Sequence, residues 1–465
     1  MPQIPEPRTL RDLRASGHVH RTVKAEIREN LLERLRAGQP RFPGIVGFDE
    51  TVLPHLETAL LAGHDLVLLG ERGQGKTRLI RTVTGLLDEW TPVVDGCEIN
   101  DHPYAPSCAR CRRLAEEAGE ELPVSWRHRD ERYGEKLATP DTSVGDLIGD
   151  IDPIKIAEGR TLGDPETVHY GLVPRSNRGV FSVNELPDLA ERIQVSLLNV
   201  LEERDIQVRG YNLRLPLDIL LIASANPEDY TNRGRIITPL KDRFGAEIRT
   251  HYPLSVETEL QLIRQEAALD EVGADLPDHL VEVIARFTRL VRESTAVDAR
   301  SGVSARFSIA AAETAAASAV RRAALTGEER AVTRVADLPG IVHSLRGKVE
   351  FEVSEEGRET EVLAHLLRRA VAETFRGTIG GHDLSPLLER FSEGVQVESG
   401  AMVPAAELLR GIGPVPGLSK IMSGLGIGDE SPGHAAAALE FALEGLYLLR
   451  RLSKDEVDGI TVYRT

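Results

Sequence analysis

Apolar positions change period several times along the chain, and each change predicts a different element. Val23, Ile27, Leu31 and Leu35 recur every four residues, which predicts a short amphipathic helix stopped by Gly38 and Pro40. A second helical stretch runs near Leu53 to Leu61 and leads into the apolar run Leu66-Val67-Leu68-Leu69. Two more buried-strand patterns follow, Gly179 to Glu185 and Ile219 to Asn226. Both are apolar runs that end in polar groups, as parallel strands do at the carboxyl edge of an α/β sheet. Between them, Ile206 to Leu215 alternates around Gly210 and predicts a β-hairpin. After Pro253 the texture is helical to about residue 345, and again from about Glu361 to Phe375. A glycine-rich stretch, 411–433, reads as a linker. The last helix sets Ala438, Phe441, Ala442, Leu448, Leu449 and Leu452 on one face, for packing inside the protein or on a partner.

The chain has 465 residues, which implies about three domains. Its net charge of −17 repels nucleic acid and anionic lipid on average, and aromatics at 4% are too few for a base-stacking surface. Nucleic acid and membrane are therefore not the expected partners. No apolar run approaches the ~20 residues of a spanning helix, and the first residues mix prolines with charges where a signal peptide needs an apolar core. Three cysteines make no disulfide framework, so a reducing cytoplasmic setting is expected.

The strand at Leu66–Leu69 is followed by Gly70-Glu71-Arg72-Gly73-Gln74-Gly75-Lys76-Thr77 and then by a helical pattern. This is the spacing of a phosphate-binding loop in its strand-loop-helix setting. Glycines let backbone N–H groups converge on phosphate oxygens at a helix start. Lys76 adds a cation for the β/γ-phosphates and the Thr77 hydroxyl a ligand for Mg²⁺. ATP with Mg²⁺ is the expected cofactor.

The order of parts carries a resemblance. A phosphate loop, a strand ending in Glu185, a strand ending in Asn226 and then Leu240-Lys241-Asp242-Arg243-Phe244 resemble the AAA+ ATPases. Within them the chain is most similar to the ATPase subunit of magnesium chelatase and its MoxR-type relatives, over about residues 42–320. The resemblance implies an α/β fold: a P-loop AAA+ core, its parallel sheet flanked by helices, with an α-helical lid and a helical C-terminal region. The boundaries are an N-terminal helical segment at 1–40, the core at 41–255 with a polar insertion at about 95–140, the lid at 256–345 and the C-terminal region at 346–465.

The same resemblance implies site residues. Glu185 matches the carboxylate that orients or deprotonates the attacking water, and Asn226 the sensor-one amide. Arg243 matches the arginine finger that reaches a neighbouring subunit's γ-phosphate, with Arg233 and Arg235 as rivals. Arg306 matches sensor two, with Arg300 as a rival. Ile45 and Val46 join the phosphate loop among the nucleotide-binding residues. The sequence departs from the family at Asn184, where an Asp usually helps to hold Mg²⁺. The amide keeps an oxygen ligand and loses a charge, so hydrolysis is slowed or other carboxylates balance the site.

Cys97, His102, Cys108 and Cys111 lie within fifteen residues, in the insertion. Three thiolates and an imidazole are a common closed ligand set for structural Zn²⁺, and His128 is an alternative to His102. Ordinary thiols in a loop, or a redox Cys-x₂-Cys pair, are the competing readings.

A finger implies a homo-oligomeric ring, by resemblance a hexamer, acting on a protein that bears a von Willebrand factor A domain. The chain itself lacks the Asp-x-Ser-x-Ser signature of such a domain. Remodelling or metal insertion in that partner is the expected work. The alternatives are a true magnesium-chelatase subunit, a sigma-54-type activator or DNA motor, and a nucleotide switch that never hydrolyses. The activator loop Gly-Ala-Phe-Thr-Gly-Ala is absent from the sequence.

Overall fold

A computed structural model describes residues 3–157, 167–206, 215–227, 235–298, 302–415, 417–428, 431–457 and 460–464. The chain divides into two compact units, Met1–His251 and Tyr252–Thr465.

The first unit is built on a five-stranded parallel sheet. In chain order its labelled elements are α1 (Val23–Ala37), α2 (Val52–Leu61), β1 (Leu66–Leu69), α3 (Lys76–Thr82), β2 (Trp90–Val94), α4 (Ala109–Ala118), β3 (Val124–His128) and β4 (Tyr133–Leu137), followed by β5 (Gly179–Asn184), α5 (Glu191–Glu202), β6 (Ile219–Ala225), α6 (Thr238–Arg243) and β7 (Ala246–Arg249). The sheet order is β4-β5-β6-β1-β7, with every pairing parallel. Strands β1, β5 and β6 are buried at every position, which is why they read as unbroken apolar runs. The chain leaves β1 for the far edge and returns to either side of it. The carboxyl end of β1 is thus a topological switch point, where α/β sheets bind ligands.

Helix α1 buries Val23, Ile27 and Leu31 against this unit. Its Glu26 forms a bidentate ion pair with Arg132 at 2.7 Å, and both side chains are buried. Arg132 also donates to the Arg178 carbonyl at 2.8 Å, which ties α1 and β4 to the start of β5.

The polar stretch at 95–140 is more than a surface insertion. β2 and β3 pair as an antiparallel ribbon, Cys108, Cys111 and Leu122 join the core, and β4 is one of the two edge strands of the main sheet. Short half-buried strands rich in charge hide their apolar period, so this contribution was not apparent from the pattern. Of the expected hairpin, residues 207–214 lie outside the described residues.

The second unit is mainly helical. Its core unites α7 (Val256–Glu266), α8 (Asp278–Glu293), α9 (Ala305–Thr326), α10 (Glu359–Gly377) and α11 (Pro432–Leu448). A three-stranded antiparallel sheet of Val397–Ser399, Ile460–Arg464 and Ser453–Val457 completes it. Helix α11 is buried from His434 to Leu446 on all sides, charged Glu440 and Glu444 included. It is therefore a central helix, not one with a single apolar face. The glycine-rich stretch 411–433 holds a helix, Leu418–Gly424, whose Ile421 and Met422 enter the core. Gly413 caps the end of one helix there and Gly417 the start of the next.

Candidate nucleotide site

Gly73 and Gly75 have φ of 73° and 74°, left-handed values that favour glycine and turn the backbone into α3 at Lys76. Gly70 needs its lack of a side chain for another reason. A Cβ there would collide with Thr250 and with the Gln74 amide. Gln74 Oε1 accepts from the Glu71 N–H at 3.1 Å and from Thr250 Oγ1 at 2.8 Å, so this side chain braces the loop on the segment after β7.

Lys76 is buried and its Nζ donates to the carbonyls of Gly70 and Glu71, the latter at 2.9 Å, and to Asn226 Oδ1 at 2.7 Å. Asn226 Nδ2 in turn donates to Glu185 Oε2 at 2.7 Å. The start of α3 and the ends of β5 and β6 thus contribute to one polar chain, Lys76–Asn226–Glu185. Glu185 has φ 56° and ψ 45°, a strained conformation that costs a non-glycine residue about 1–3 kcal/mol and clusters at functional sites.

Asn184 Oδ1 accepts from Ser224 Oγ at 3.1 Å and its Nδ2 donates to Glu135 Oε1 at 2.6 Å. Glu135 Oε2 accepts from Arg81 Nη2 at 2.8 Å. Glu135 comes from β4 and was missed by sequence reasoning, because its strand was hidden in the insertion. A cleft of about 390 Å³ opens beside the loop, with Gly70, Glu71, Lys241, Arg249 and Thr250 in its lining. The half-buried Thr77 follows Lys76 in the first turn of α3. Thr77, Asn184 and Glu135 each carry the hard oxygen donor that Mg²⁺ takes.

Arg243 ends α6 and pairs with Glu202, Nε to Oε2 at 2.7 Å, while Nη1 donates to the Pro239 carbonyl at 2.8 Å. Its ion-pair partner is Glu202, not the adjacent Asp242. Ile45 packs on the apolar cluster that holds Leu66 and Leu79, and Val46 beside it is half-buried. Arg235 is exposed, and Arg306 is the exposed second residue of α9 in the other unit. Arg233 and Arg300 lie outside the described residues.

The cysteine cluster needs a correction. Cys97, Cys108 and Cys111 do converge, but the fourth donor is Asp101, and the ligand atoms of these four lie within 4.8 Å of one another. His102 turns away. Its Nδ1 accepts from the Tyr104 N–H at 3.0 Å and its ring lies 4.1 Å from His20 and 5.6 Å from His18. His128 packs against Trp90 and pairs with Asp130. The reason is local: the Cys108 N–H holds the Asp101 carboxylate at 2.8 Å, on the side of the thiols, while the Tyr104 N–H holds the His102 ring.

Residues 160–243 match the family model of the Sigma-54 interaction domain. The magnesium-chelatase 38 kDa subunit of Cereibacter sphaeroides is 29% identical over 242 residues, covering 49% of this chain and 64% of that protein. Its counterpart from Acidiphilium rubrum is 30% identical over 242 residues, covering 49% and 64%. The chain is an AAA+ protein related to the magnesium-chelatase subunits. A third relative, the 38 kDa subunit of Rhodobacter capsulatus, is 28% identical over 247 residues, with 50% of this chain and 62% of the relative covered. This AAA+ chain therefore matches somewhat under two thirds of each relative's length. Among its described residues, no helix is long and apolar enough to cross a membrane.

Proposed function

We propose that this AAA+ chain hydrolyses ATP as a member of a homo-oligomeric ring, on the magnesium-chelatase or MoxR pattern, and uses the cycle to remodel a partner or insert metal into it. The observation that carries the reading is the hydrogen-bonded chain Lys76–Asn226–Glu185 at the carboxyl end of the sheet. It joins the cation that meets the phosphates to the carboxylate that meets the water.

Residues of the chain divide the work. Backbone N–H groups of Gly70 to Thr77 hold the phosphates, and Lys76 exchanges its carbonyl partners for β/γ-oxygens. That exchange releases Asn226, which then holds the attacking water beside the γ-phosphate. Glu185 takes the proton of that water as its oxygen bonds to phosphorus and the bond to ADP breaks. Bound Mg²⁺ would neutralise charge developing on the phosphate oxygens, with Thr77, Asn184 and Glu135 as its protein donors. Arg243 reaches a neighbouring subunit's site once the ring forms and Glu202 lets go. By resemblance the ring has six members and its partner carries a von Willebrand factor A domain.

Phosphate release by wild type and Glu185→Gln tests the catalytic claim. The variant is expected to bind ATP and to lose about 10²–10⁴ in rate; equal background rates in both would end it. Co-purification from the native host tests the partner. The Sigma-54 match supports a second reading as a transcription activator, and salt-sensitive binding to DNA is the result that would favour it.

A further inference from the structure

The Cys97–Cys111 segment is folded around its sulfur atoms. After β2, Gly96 turns the chain at φ 65°. The Val94 N–H donates to the Asp101 carbonyl at 2.9 Å, and the Cys97 N–H to the Val94 carbonyl at 3.1 Å, so this loop closes on itself. The Asp101 N–H donates to Cys97 Sγ at 3.3 Å. Cys108 then caps α4, its Sγ accepting from the Cys111 N–H at 3.3 Å. Backbone N–H groups aimed at sulfur are what a thiolate requires from its surroundings. The Asp101 carboxylate is oriented in the same way, by Ser107 Oγ and by the Cys108 N–H at 2.8 Å. Asp101, Cys108 and Cys111 are buried and Cys97 is half-buried.

Three thiols and a carboxylate gathered out of water have weak reasons to stay together as neutral groups, and strong repulsion if they ionise. A dication removes both difficulties. Ligands at about 2.0–2.3 Å from a tetrahedral metal lie roughly 3.3–3.8 Å from each other, a spacing that donors already within 4.8 Å can reach by small side-chain rotations. Arg110 Nη1, 4.0 Å from Cys111 Sγ, offsets part of the ligands' excess negative charge.

We propose that Cys97, Asp101, Cys108 and Cys111 bind one structural Zn²⁺. Three thiolates select a borderline-soft metal over Mg²⁺ or Ca²⁺, and four protein donors leave no position open for chemistry. The site is tied to the strand that carries Glu185. Asn100 Nδ2 donates to the Arg175 carbonyl at 2.8 Å and Asn177 Nδ2 to the Ile99 carbonyl at 2.9 Å. The metal loop and the approach to β5 therefore brace each other. This assignment is independent of whether the chain hydrolyses ATP.

Elemental analysis of the full chain, purified under reductant without chelator, is expected to find about one zinc per chain. Cobalt substitution is expected to give thiolate-to-metal charge-transfer bands. Losing a direct ligand costs at least what losing an outer-shell partner does, about 10–100-fold in affinity. Asp101→Ala is expected to weaken zinc by that much, and His102→Ala to leave affinity and the cobalt spectrum unchanged. A metal-free wild type, a disulfide among the three cysteines, or loss of metal in His102→Ala with retention in Asp101→Ala would each overturn the assignment. The wild-type measurements decide the matter even if the Asp101 variant does not fold.

Discussion

Asn184 Nδ2 donates to Glu135 Oε1 at 2.6 Å, across the parallel pairing of β4 and β5. A carboxylate from the neighbouring strand thus stands against position 184, where β5 carries an amide. Arg81 on α3 holds the other carboxylate oxygen and keeps it beside the helix that begins with Lys76 and Thr77.

This pairing predicts a charge relay that can be exchanged. Glu135→Gln is expected to raise the Mg²⁺ concentration needed for half-maximal phosphate release by about 10–100-fold. Adding Asn184→Asp to that variant is expected to restore most of the loss, because the charge returns one strand away. Mg²⁺ titrations of the ATPase rate check both; an unchanged requirement in Glu135→Gln removes Glu135 from the metal's surroundings.

Arg243 predicts complementation between defective subunits. Arg243→Ala alone is expected to bind nucleotide and to lose about 10³–10⁵ in rate. Its pair with Glu202 is partly exposed, so stability changes by about 1 kcal/mol or less. Mixing it with Glu185→Gln subunits is expected to recover activity, since one protein retains the base and the other the finger. Mixtures as inactive as their components would refute a shared site.

The buried pair of Glu26 and Arg132 predicts an asymmetric stability effect. Glu26→Ala leaves a buried guanidinium unpaired and is expected to cost about 3–5 kcal/mol. Replacing both partners with apolar residues of similar volume is expected to cost much less. Denaturant unfolding followed by circular dichroism separates the two cases.

His279 predicts a loss of stability in acid. Burial first, and then the neighbouring His434, lower its pKa to about 3, and neither ring nitrogen has a hydrogen-bond partner. The unfolded imidazole titrates near 6.5. The unfolded state therefore binds the extra proton first, and this contribution is complete above pH 6.5 and declines as pH falls toward 3. Thermal unfolding of wild type and His279→Leu between pH 8 and pH 5 is expected to show a shallower acid decline in the variant.

The glycine spacing of the nucleotide loop and its three flanking strands could be read from residue order, because each is a local device, whereas Glu185 and Asn226 are singled out by the family resemblance. A phosphate cradle needs glycines at fixed spacing, and a strand buried on both faces needs an unbroken apolar run. The contributions of Glu135, Asp101 and α11 became visible only in the folded chain. Glu135 reaches Asn184 because β4, some fifty residues earlier, pairs with β5, and its half-buried strand carries no apolar period. Asp101 rather than His102 enters the thiol cluster because of how one turn closes on Val94. Helix α11 lies at the centre of its unit because other helices surround it, a matter of neighbours that residue spacing along one helix does not encode.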